Sequence, residues 1–154
     1  MNDTTQPIGM LRNHTFAELQ LGDSASIERQ LTQQDIELFA VMSGDLNPAH
    51  LDAEYAAASQ FHGVIAHGMW GGALISAVLG TRLPGPGTVY LSQTLKFRAP
   101  VRVGDRLTIG VTVSAKDEAR RRVTLACRCV NQDGQAAIEG EALVQAPEQK
   151  IERP

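Results

Sequence analysis

The stretch Gly44-Asp45-Leu46-Asn47-Pro48-Ala49-His50 places a carboxylate and an imidazole five residues apart. With reference pKa values of about 3.9 for Asp and about 6.5 for His, the two can hold a proton acceptor and a proton donor beside one water at neutral pH. Adding water across a C=C bond needs that combination: a base to activate the water and an acid to protonate the neighbouring carbon. Asn47 and Pro48 favour a turn, and a rigid turn can aim both side chains at one point. By spacing alone, a purely structural turn is the commoner use of such residues. His67-Gly68 opens the apolar run 67–80. The first N–H groups of a helix have no internal partner and carry partial positive charge. Gly68 would let a ligand come close to that backbone, where a carbonyl oxygen gaining negative charge would be stabilised. Packing alone would also account for Gly68, and His67 reads as a residue that caps or packs. Ser76 falls with Gly68 and Gly72 at i, i+4 and i+8, one face of a helix. Its hydroxyl either serves a ligand on that face or bonds to a carbonyl one turn back.

These residues need elements to hold them. Residues 24–31 can form a first strand. A helix should start at Thr32, where Asp35 completes a capping box, and stop at Gly44. Residues 52–58 read as a short helix capped by Asp52. The run 67–80 is apolar nearly all round and should be buried all round, with Gly80 at its end and Pro84-Gly85-Pro86-Gly87 as a turn. From residue 89 the period changes to two. Val89 to Phe97, Leu107 to Val113 and Val123 to Cys129 alternate apolar with other residues, and 135–145 gives a weaker strand. The expected layout is α+β: an antiparallel sheet of about five strands around one buried helix. Residues 1–15 read as a flexible amino terminus, 16–146 as the domain and 147–154 as a tail or linker.

Bulk properties narrow the function classes. The chain has 154 residues, 43% of them hydrophobic, enough for one domain with a proper core. Its 14 basic residues are dispersed and outnumbered by 17 acidic ones, which argues against nucleic acid as a partner. The run Arg120-Arg121-Arg122 suits a solvated hairpin tip better than a phosphate site. The polar start does not resemble a signal peptide, and glycines and His67 interrupt the longest apolar stretch before it reaches a membrane span. A soluble, cytoplasmic protein is expected. Cys127 and Cys129 sit two apart on a strand and should pack in the core. Two lone thiols do not make a metal site.

The segments SGDLNPAHLD (43–52), IAHGMWGGALIS (65–76) and YLSQTLKFRAPV (90–101), in this order, resemble the MaoC-like family, specifically its R-specific enoyl-CoA hydratases. The resemblance covers roughly residues 16–146. It implies a hot-dog fold, a homodimer or higher homo-oligomer, and reversible hydration of trans-2-enoyl-CoA to (R)-3-hydroxyacyl-CoA without a metal or redox cofactor. Asp45 and His50 would hold the water and handle protons, and the Gly68 N–H would bind the thioester oxygen. Ser76 matches a serine associated with that site, and Asn47 would fix the turn. The run from Phe61 to Leu91, with the ending APEQKIERP, also resembles the hydratase portion of bacterial proteins joined to a phosphate acyltransferase. A hot-dog acyl-CoA thioesterase and a non-catalytic acyl-CoA-binding module are the alternatives.

Overall fold

The computed structural model describes residues 9–154. In chain order its elements are β1 (Leu11–Arg12), β2 (Ser24–Gln30), α1 (Gln33–Ser43), α2 (Pro48–Leu51), α3 (Ala53–Ala58), α4 (Gly68–Thr81), β3 (Val89–Phe97), β4 (Arg106–Asp117), β5 (Arg122–Val130), β6 (Ala136–Gln145) and β7 (Glu152–Arg153). Five strands form one antiparallel sheet in the order β2-β4-β5-β6-β3. Helix α4 lies against it, and the sheet curls around the helix in the hot-dog manner. Leu107, Ile109, Val111 and Val113 from β4 and Val123, Leu125, Cys127 and Cys129 from β5 are all buried, as their alternation requires. They meet Leu74, Ile75, Val78 and Leu79 of α4 in one core cluster. Each such side chain contributes roughly 1.5–3 kcal/mol of burial. Burial pushes the Cys129 thiol up to about 12, and both cysteines are free.

The caps on α1 and α3 follow the sequence. Thr32 accepts from the Asp35 N–H while the Asp35 carboxylate accepts from the Thr32 N–H, and Gly44 closes α1 in the left-handed region at φ 78°. Asp52 caps α3.

Four expectations are corrected. First, α4 is buried on one face only. Trp70, Gly71, Leu74, Ile75, Val78 and Leu79 are buried, but Met69, Ala73, Ser76 and Ala77 are exposed. A single five-stranded sheet can wrap only one side of a helix. The helix also runs one residue past Gly80, to Thr81.

Second, the turn around Asn47 contains a regular element, the four-residue helix α2, with the Asn47 side chain accepting from the Ala49 N–H.

Third, the chain ends are tied together within the described residues; residues 1–8 lie outside them. β1 pairs with β7. Asn13, 1% exposed, donates to the carbonyls of Pro86 and Gln149 at 3.1 and 2.9 Å and accepts from the Ile151 N–H at 3.0 Å. Polar ends can thus be ordered by hydrogen bonds that leave no hydrophobic signature in the sequence. Asn13→Ala should cost about 2–4 kcal/mol, because it removes three hydrogen bonds and leaves partly buried partners unmet. Thermal unfolding checks this; a melting temperature equal to that of the wild type would show that the clasp contributes nothing.

Fourth, the Arg120–Arg122 tip is not simply solvated. Arg121 takes a left-handed backbone at φ 53° and pairs with Glu148 of the carboxy-terminal segment.

Candidate active site

Asp45 follows the left-handed Gly44 and enters a tight turn. Its N–H donates to the Ser43 hydroxyl at 3.1 Å, and its Oδ1 accepts from the Asn47 N–H at 3.1 Å. This turn gives the two carboxylate oxygens separate tasks. Oδ1 holds the backbone, while Oδ2 points to Nε2 of His50 at 4.0 Å.

His50 sits on α2, buried. Its Nδ1 lies 2.7 Å from the Ile65 carbonyl. A carbonyl oxygen can only accept, so Nδ1 carries the proton and Nε2 presents a lone pair. The Ile65 carbonyl is itself held in place: the Ile65 N–H donates to Ala49, the Ala66 N–H donates to Val101, and Ile65 bridges to Arg102. Two acceptors, Asp45 Oδ2 and His50 Nε2, therefore face one another. A water donating one hydrogen to each satisfies both.

His67 stands at the N-cap of α4 and makes no side-chain cap bond. The first-turn N–H groups, that of Gly68 included, thus keep their positive end free of a capping side chain. The His67 ring stacks on His50 at 3.8 Å between centroids and tilts against Phe39 at 4.8 Å. A cavity of about 510 Å³ is lined by His50, His67, Gly68, Trp70, Phe97 and Arg98, among others. A Cβ on Gly68 would stand 2.7 Å from the Phe97 ring, so the glycine permits that close approach.

Asp45, His50 and His67 offer ligand atoms within 4.8 Å of one another. The two imidazoles are stacked with an interplanar angle of 24°. One nitrogen of each ring is already bonded to a main-chain carbonyl, Nδ1 of His50 to Ile65 and Nε2 of His67 to Asp45.

The structure thus sets Asp45 against His50 and places His50 and Gly68 on one cavity, with Asn47 shaping the turn between Asp45 and His50. Ser76 is two helical turns away from Gly68. It lines an adjoining groove of about 660 Å³ under β3, which shares only Met69 and Phe97 with the first cavity. Trp70 lies opposite Gly68 on a helical wheel, yet it lines the same cavity as Gly68, because the cavity wraps around the end of the helix. Sequence reasoning left out the Ile65 carbonyl, which no side-chain pattern could reveal, and the contact of His67 with the Asp45 backbone. The adjacency of His67 to Gly68 was the available signal for the second.

A family model described as a MaoC like domain matches residues 19–132. An (R)-specific enoyl-CoA hydratase of Rhodospirillum rubrum is 48% identical over 134 residues, covering 87% of this chain and 92% of that protein. A 3-hydroxybutyryl-CoA dehydratase of Methylorubrum extorquens is 46% identical, covering 91% and 88%. The unliganded R-hydratase structure from Pseudomonas aeruginosa superposes with a TM-score of 0.91 at 47% identity, covering 95% of this chain and 94% of that one. On this match across most of its length, the chain belongs to the MaoC-like family.

Proposed function

We propose that the protein hydrates trans-2-enoyl-CoA reversibly to (R)-3-hydroxyacyl-CoA. The observation that carries the reading is the pair of acceptors, Asp45 Oδ2 and His50 Nε2, 4.0 Å apart beside an uncapped helix N-terminus. The pair holds a water by its two hydrogens, leaving its oxygen free to attack C3. As the C–O bond forms, one proton passes from the water to the pair. The C=C electrons move toward the thioester carbonyl, whose oxygen accepts from the Gly68 N–H as it gains charge. The pair then returns a proton to C2, so that the net addition is one water. This scheme uses no metal or redox cofactor. Ser76, along the same helix face, lines the adjoining groove.

Loss of the conjugated-enoyl absorbance of crotonyl-CoA, with (R)-3-hydroxybutyryl-CoA as product, is the expected result. Release of free CoA thiol without hydration would favour the thioesterase reading, and binding without turnover the non-catalytic one.

We further propose a homodimer, and a cytoplasmic location. β3 is an edge strand, and Val89, Leu91 and Phe97 on it are exposed, as is Met69 on α4. An apolar, unpaired edge is a template for strand pairing, and a second copy would cover both it and the open face of α4. Leu91→Lys should convert the dimer to a monomer by light scattering; an unchanged mass would place the interface elsewhere. The two buried free thiols fit a reducing compartment. Among the described residues no helix is long and apolar enough to cross a membrane.

A further inference from the structure

The His67 ring touches the catalytic pair at two places and uses its nitrogens unequally. Nε2 lies 2.9 Å from the backbone carbonyl of Asp45. Because a carbonyl only accepts, Nε2 is the protonated nitrogen. Nδ1 is buried and has no protein partner among the described residues, in a side chain only 3% exposed. A buried polar atom without a partner is unfavourable, and an apolar residue at the N-cap would avoid that cost. His67 also makes no capping bond for its own helix, so helix stability does not explain the imidazole. What remains is its one hydrogen bond, to the residue that carries the carboxylate, and its stack against His50.

We infer that His67 is a positioning residue, whose Nε2–H anchors the Asp45 main chain and so sets the distance between Asp45 Oδ2 and His50 Nε2. Asp45 needs such an anchor. It lies in an exposed segment, with its own side chain half exposed, whereas His50 is buried and fixed through Ile65. The remaining local bonds of Asp45 run to Ser43 and Asn47, in the same segment, so they shape the turn but do not tie it to the helix. His67 makes that tie, from the first position before α4. The same residue thereby fixes the carboxylate relative to the Gly68 N–H, one residue along. This inference rests on the hydratase reading for its kinetic consequence but not for the contact itself.

His67→Phe keeps a ring to stack on His50 and removes the donor, and His67→Gln removes the ring and keeps a donor able to reach the Asp45 carbonyl. Displacing a reacting group by around an ångström can cost about 100-fold. We expect His67→Phe to lower kcat by about 10- to 100-fold with KM within about twofold, and His67→Gln to recover most of the loss. Wild-type activity in a folded His67→Phe protein, or a His67→Gln protein as impaired as His67→Phe, would overturn the inference. Long-range proton–nitrogen NMR of the wild-type protein gives a readout without turnover. It should show His67 protonated on Nε2 and His50 on Nδ1; a His67 proton on Nδ1 would overturn the contact even if both variants fail to fold. If the wild-type protein does not hydrate crotonyl-CoA, the hydratase reading fails, and the NMR result alone decides the contact.

Discussion

Asp45→Asn and His50→Ala should each lower the kcat for crotonyl-CoA hydration by about 10²- to 10⁴-fold, the usual contribution of positioned acid–base groups. Asn is close in shape to Asp, and its Oδ1 can still accept from the Asn47 N–H, so the turn should survive. The change falls on the other arm, where an acceptor facing His50 becomes an N–H₂ donor. A water between them then has one acceptor and one donor as neighbours, and it can no longer give up a hydrogen on the Asp45 side. His50→Ala removes Nε2 and also leaves the Ile65 carbonyl without its donor. It should therefore cost some stability as well as activity, whereas Asp45→Asn should cost little stability. The two groups act on one water, so the double variant should be only slightly worse than either single one. Initial rates beside thermal unfolding curves separate these outcomes. Full activity in either single variant would sink the mechanism.

The second large effect is structural. Gly140→Ala should prevent normal assembly of the sheet. A Cβ at residue 140 would stand 1.8 Å from the carbonyl oxygen of Thr94 on β3. The obstacle is backbone, in the register that pairs Gly140 with Leu95 and Glu141 with Thr94. No rotamer change can relieve it, so β3 must move away from β6. A loss of about 4 kcal/mol or more is expected, in the range reserved for severe backbone conflicts. Displacement of β3 also moves Phe97 from its place over Gly68, so any folded fraction should bind acyl-CoA poorly. Denaturant titration reads the first effect. A variant with wild-type stability would mean that β3 and β6 do not approach so closely.

The sequence shows much of this and omits the rest for identifiable reasons. The Thr32–Asp35 capping box and the Gly44 stop were legible because capping is a local matter. The core faces of β4 and β5 were legible because alternation records burial on one side. The one-sided burial of α4 was not legible, since a uniformly apolar helix does not say whether a sheet or another molecule covers its far side. The weak strand 135–145 turned out to lie between β5 and β3. Its weakness reflects Gly140, which is there to let a neighbouring backbone approach. At the site, Asp45, His50 and Gly68 were legible as residue types at a spacing. That Ser76 lines a second, adjoining groove was not. Nor was the role of His67, whose partner is a main-chain oxygen 22 residues earlier.

The clasp between β1 and β7 also bears on the order of folding. It joins Leu11 to Arg153, so it closes a loop of nearly the whole chain. Loop-closure entropy makes such a contact late, whereas the β4–β5 and β5–β6 pairings link neighbours in the chain and can form early. On the ribosome, Asn13 emerges long before Gln149 and Ile151, the partners that bury it.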